Sequence, residues 1–161
     1  MTTGLRIAAA LLQAVAATTA LAAPTWAPEH IYAQELVDRT VKENPDLWVV
    51  AMHVTPPHET ENVIIASNIG RIGKLADAED LHVIQTGETL AKVSKNHDRF
   101  EVELPLLDAS KRPVGALAIV FPYHEGDDPA RFKARAEKIR DELAGQIPDV
   151  ARLVQRIGAT K

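Results

Sequence analysis

The stretch LPLLDASKRPVGALAIVF, Leu104 to Phe121, constrains the fold more than any other part of the chain. It has the pattern of a hairpin, two apolar arms joined by Asp108-Ala109-Ser110-Lys111, residue types that favour a tight turn. The first arm begins upstream and alternates, with Phe100, Val102, Leu104 and Leu106 on one face and Glu101 and Glu103 on the other. The second arm, Val114 to Phe121, carries no charge at all. A strand apolar on both faces needs cover on both sides, or a cavity on one. It is therefore predicted to be a central strand. Gly115, near its start, allows a close approach by a neighbouring element or leaves space for a ligand.

The segments around this hairpin supply the cover. A helix is predicted from about Pro28 to Glu43, with Tyr32, Leu36, Val37, Thr40 and Val41 at helical spacing and Asn44-Pro45 ending it. LWVVAMHV, Leu47 to Val54, and NVIIAS, Asn62 to Ser67, read as two strands of a hairpin across TPPHETE. A short helix opens at Asp77-Ala78-Glu79-Asp80 and closes at Gly87, and TLAKVSK is a third strand. After HEGDDPA comes a long helix from about Pro129 to Gln146, with Phe132, Ala136, Ile139, Leu143 and Ile147 in one apolar stripe. Val150 to Ile157 is a last short helix. Five antiparallel strands with a helix between the second and third make an α+β domain. Its fifth strand lies between the first and fourth, with the terminal helices on one face and the inserted segment on the other.

With 161 residues, the chain has room for one ordinary domain. Lys and Arg are scattered and the net charge is −4, which excludes a nucleic-acid surface. The N-terminus reads as a leader. Arg6 precedes Ile7 to Ala22, which is apolar or small except for Gln13, Thr18 and Thr19, and Ala20-Leu21-Ala22 is an A-x-A cleavage signature. At 16 residues this run is short for a membrane span, which needs about 20. The expectation is a signal peptide over 1–22 and a single domain over 23–161, periplasmic or secreted and with no membrane span. Loss of Arg6 leaves 17 basic and 22 acidic residues, a net charge of −5. The chain has no cysteine, which excludes disulfides, a lipid-modified cysteine, covalent c-type haem and thiol catalysis.

At this point the chain resembles the extracytoplasmic PAS-like sensor domains known as Cache domains. The resemblance is carried by Tyr32, Leu36 and Val37, by NVIIASN, by the inserted NIGRIGKLADAEDL and by the Leu104–Phe121 hairpin, and spans about Ile31 to Phe121. It departs at Lys111, where such turns commonly hold glycine, and in showing no membrane-spanning helices or output domain. The resemblance implies a five-stranded PAS-like sheet with long N- and C-terminal helices. It also implies small-molecule sensing or binding, and the missing output domain adds the expectation that the chain acts through a separate partner, a membrane-bound signalling or transport protein.

Such a domain would hold its ligand between one face of the sheet and the inserted segment. Asn68, Arg71 and Lys74 sit where the second strand leaves the sheet, with Ser67 and His53 beside them as further candidates. Arg71 suits a carboxylate on a small anionic metabolite, gripped bidentately. The alternative is that Gly70 and Gly73 merely make a turn, with Arg71 and Lys74 solvated. GRIGKL lacks the spacing and the following Ser or Thr of a phosphate loop. The six histidines show no metal-binding spacing, so no metal site is expected, and the cofactor is left unassigned, non-covalent haem included. Ser67, Ser94 and Ser110 lack a nucleophile context, and Asp77 to Asp80 read as helix-starting acids, so no catalytic residue is assigned. A non-enzymatic accessory or protein-interaction module without a ligand is the alternative function.

Overall fold

The computed structural model describes residues 30–158; the expected signal peptide over 1–22 and Pro28 lie outside them. The elements run α1 (Tyr32–Glu43), β1 (Val49–Val54), β2 (Val63–Ser67), α2 (Ala78–Thr86), β3 (Leu90–Val93), β4 (Arg99–Leu107), β5 (Pro113–Pro122), α3 (Pro129–Ala144) and α4 (Val150–Leu153). The five strands form one antiparallel sheet in the order β2-β1-β5-β4-β3. This is the expected α+β, PAS-like architecture, with β5 in the middle.

The two faces of the sheet differ because alternate residues of each strand point opposite ways. Val50, Met52, Val54, Phe100, Val102, Leu104, Leu106, Leu117, Ile119 and Phe121 form the core with Leu36 and Val37 of α1, with Phe132, Ala136, Ile139 and Leu143 of α3, and with Leu153 of α4. Phe132 stacks on Phe100 at a centroid distance of 5.4 Å and tilts against Phe121 at 5.2 Å. On the opposite face stand Val49, Ala51 and His53 of β1, Glu101 and Glu103 of β4, and Ala118 and Val120 of β5, and α2 packs over β4 and β5. Small residues at 51 and 118 keep that face shallow.

The ends of the helices differ from the sequence reading. Helix α1 starts at Tyr32 because Ile31 is extended and bridges Arg156, and α4 stops at Leu153 because the chain then straightens to make that bridge. The central hairpin is set by Asp108, which is fully buried. Its Oδ1 accepts from the backbone N–H groups of Ser110 and Arg112, and its Oδ2 from the Arg112 guanidinium at 2.8 Å and 2.7 Å. Lys111 sits at φ 63, the left-handed conformation that glycine adopts without strain. Gly115 serves close approach: a Cβ there would meet the carbonyl oxygen of His53 at 2.1 Å.

Candidate functional site

Between the open face of the sheet and the segment joining β2 to α2 lies a cavity of about 610 Å³. Its floor is Val49, Ala51 and His53 of β1, Ile64 and Ser67 of β2, Glu101 and Glu103 of β4, and Ala118 and Val120 of β5. Its roof is Ile69, Arg71, Lys74, Asp77, Glu79 and Asp80. The roof is built by local chemistry. Gly70, Arg71 and Gly73 all have positive φ, so the chain reverses sharply after β2. It then runs back along β2, with Ile64 N–H donating to Lys74 O at 2.9 Å, Gly73 N–H to Ile64 O at 2.9 Å and Ala76 N–H to Asn62 O at 2.9 Å. Helix α2 follows at once. Asp77 Oδ1 accepts from the N–H groups of Glu79 and Asp80, while Asp80 Oδ2 accepts from the Asp77 N–H at 2.9 Å, a reciprocal capping box.

Four of the five candidate residues read from the sequence line this cavity: His53, Ser67, Arg71 and Lys74. Arg71, exposed at the tip of the reversal, has no carboxylate within ion-pair distance among the described residues, whereas Lys74 Nζ lies 3.7 Å from Asp77 Oδ2. The Ser67 hydroxyl accepts from the Ile69 N–H at 3.2 Å, and its backbone N–H and carbonyl are held by the Gln34 amide. Asn68 is not among the lining residues. Its side chain accepts from the Val50 N–H at 2.8 Å and donates to Trp48 O at 3.0 Å, so it extends the β1–β2 pairing in place of backbone. That correction has a simple cause: at a strand end, an Asn amide satisfies the peptide groups the neighbouring strand leaves open.

The acidic end of the cavity was not legible as a site. His53 and Asp80 are both buried, with side chains 5% and 2% exposed, and His53 Nδ1 lies 3.1 Å from Asp80 Oδ2. The contact is close but poorly aligned, so Nδ1 lacks a well-formed hydrogen bond. Burial raises the Asp80 carboxyl, but His53, the Asp77 N–H and Lys74 together outweigh it and hold the group below its ordinary value. Glu103 differs. Burial first, then the like charges of Asp80, Asp77 and Glu79, push its carboxyl up to about 7 against the pull of Lys92. Its Oε2 is buried and receives no hydrogen bond. Oxygens of Asp77, Asp80 and Glu103 lie within 4.8 Å of one another.

Asp77 and Asp80 start a helix as the sequence indicates, and Asp80 in addition faces the sheet. Glu103 alternates as a solvent-facing strand residue would, but the face it points to is roofed. Of the six histidines, His30, His58, His97 and His124 lie exposed outside helices and strands, His82 is exposed on α2, and His53 is buried on β1. The remaining charges pair across the rim: Lys92 contacts Glu79 and lies 3.7 Å from Glu101, and Arg99 Nε lies 3.1 Å from Glu101.

No known family profile matches the chain, and no curated protein matches it in sequence. Similar solved structures exist. A crystal structure of the Agobacterium tumefaciens repressor BlcR aligns with a TM-score of 0.51 at 12% identity, over 74% of this chain and 68% of that one. The inducer-binding domain of the transcription factor PobR from Acinetobacter, a double mutant in complex with 3-hydroxybenzoic acid, aligns with a TM-score of 0.49 at 11% identity, over 73% of this chain and 96% of that one. At such identities the likeness to BlcR is one of fold.

Proposed function

We propose that this chain is a non-enzymatic sensory domain that binds a small molecule between the open face of its sheet and the segment over it. Binding is relayed through a separate partner protein. The observation that carries this reading is the cavity itself. Its volume suits a metabolite, and its walls combine small apolar residues with charged groups that converge from both sides. A module serving only to bind protein would fill this face with Leu and Ile. Residues 68–88 form a separate layer between β2 and β3, so ligand contacts to both sides would tighten the roof onto the floor. An extracytoplasmic location, in the manner of Cache domains, is part of the proposal and is supported by the leader-like pattern ending at Ala22.

Arg71 supplies the ligand's first anchor. It stands at the cavity mouth without a carboxylate partner among the described residues, and its planar fork matches an anionic group. Thermal-shift screening of carboxylates, amino acids and phosphates is expected to yield a stabilising compound. Calorimetry is expected to show Arg71→Ala weakening its binding by about 1.5–3 kcal/mol, the loss of a charge-assisted hydrogen bond. An unchanged affinity would move the anchor elsewhere. A specific observation favours the second reading, a protein-interaction module: Ile69, Ile72, Leu75 and Leu81 are all exposed on the roof. A screen in which no compound shifts the melting temperature decides for that module.

A further inference from the structure

We infer that the acidic end of the cavity is a binding site for a divalent cation, held by one carboxylate oxygen each from Asp77, Asp80 and Glu103. The inference goes beyond the small-molecule reading and does not depend on it, because an ion at this end leaves the Arg71 end of the cavity free.

Three observations carry it. The first is the spacing. Two donors on opposite sides of a Mg²⁺, Mn²⁺ or Ca²⁺ ion stand about 4.2–4.8 Å apart, and adjacent donors stand closer. The three carboxylates present oxygens within 4.8 Å of one another. The second is the set of open valences. Asp80 Oδ2 is occupied by the Asp77 N–H, and Asp77 Oδ1 by two N–H groups of α2. Glu103 Oε2, by contrast, is buried with no donor. A buried carboxylate oxygen without a partner costs free energy unless an ion or water meets it.

The third is His53. Its ring is nine-tenths or more buried and its Nδ1 points at the cluster, 3.1 Å from Asp80 Oδ2, with no aligned protein partner. An imidazole behind a carboxylate is the arrangement that orients a ligating oxygen from the second layer of contacts. Asp77, Glu79, Asp80 and Glu103 outnumber the two lysines beside them, Lys74 and Lys92, which leaves excess negative charge at this end. Oxygen-only donors select hard ions of the Mn²⁺, Ca²⁺ and Mg²⁺ class. The chain's lack of cysteine leaves no thiolate to favour soft ones. Because Asp77 and Asp80 belong to the roof and Glu103 to the floor, the ion would pin α2 to β4.

The test uses the purified full chain, stripped with chelator and desalted. Titration with MnCl₂, CaCl₂ and MgCl₂ by calorimetry is expected to show one ion per chain for at least one of them. A rise in melting temperature should accompany binding, and Mn²⁺ should lose its free-ion spin-resonance signal if it is the one bound. Glu103→Gln, close in shape and relieved of charge repulsion, should weaken binding by at least about tenfold. Asp77→Asn should do the same while keeping the helix cap, which covers the case in which Glu103→Gln fails to fold. Arg71→Ala should leave ion binding unchanged, so failure of the small-molecule reading and failure of this one are separable. No saturable binding of the three ions at millimolar concentration overturns the inference. So does binding that neither carboxylate variant weakens, or stabilisation by organic ammonium compounds but by none of the ions.

Discussion

Gly115 shows how one residue positions the whole site. It pairs opposite Leu106 near the start of β5, where β1 ends at His53 and Val54, and the two backbones come so close that only a hydrogen fits between them. His53 reaches Asp80 from that same stretch of β1. Gly115→Ala would drive its methyl group to within 2.1 Å of the His53 carbonyl oxygen, which belongs to backbone and cannot rotate away. The expected cost is about 1–3 kcal/mol in stability, the range for overpacking, together with displacement of His53. Denaturant unfolding measures the first effect. The His53 ring resonances in NMR measure the second, and an unchanged midpoint with unshifted resonances would show that the strands part without consequence. The sequence offered two roles for this glycine, close approach or space for a ligand, and the geometry selects close approach.

At the scale of elements, the β4–β5 hairpin is organised by a buried aspartate. The backbone N–H of Arg112 is the largest influence lowering the Asp108 carboxyl; burial opposes it, and the Arg112 guanidinium and the Ser110 N–H add to the lowering. A depressed native pKa means the charged form is favoured by folding. The stability it contributes is fully present above the unfolded value, 3.8, and is lost as pH falls through the lower native value. Asp108→Asn keeps an acceptor for the two backbone N–H groups but gives up the ion pair. The variant is expected to be less stable than the parent at neutral pH, with the gap closing as pH drops below about 4. Melting temperatures of both proteins from about pH 6 to about pH 2 test this, and parallel curves would refute it. Helix α2 shows the opposite economy, since its capping acids serve two purposes at once. Asp77 and Asp80 satisfy backbone N–H groups at the helix start, and the same pair faces the cavity.

For the whole molecule, the asymmetry of the sheet is the main feature. One face is sealed by α1, α3 and α4 over a continuous aromatic and aliphatic core, and the other is roofed by the segment between β2 and β3, which pairs along β2 and lays α2 over β4 and β5. The core face carries the stability, so the roof is free to respond to what lies beneath it. The leader-like N-terminus belongs to this scale too, as the proposed route to an extracytoplasmic space. The exported protein is expected to begin at Ala23, and N-terminal sequencing of it checks this; Met1 retained in a membrane fraction would sink the proposed location.

The sequence by itself determined the order of elements, the antiparallel hairpins and the central place of β5. These depend on local signals: alternation along β4, unbroken apolarity along β5, and turn residues at 108–111. It also pointed to the end of β2 as the approach to a site, through Arg71 and Lys74 between two glycines. What only the tertiary structure decided is which polar residues are roofed over. Glu103 has the sequence signature of a solvated strand residue, Asp80 that of a helix cap and His53 that of a turn flank. No periodicity distinguishes a strand face open to water from one under a loop 20 to 30 residues away in sequence. Burial there depends on how sharply the chain reverses at Gly70–Gly73 and where α2 then lands on the sheet. Those are long-range packing outcomes, and they bring His53, Asp80 and Glu103 together.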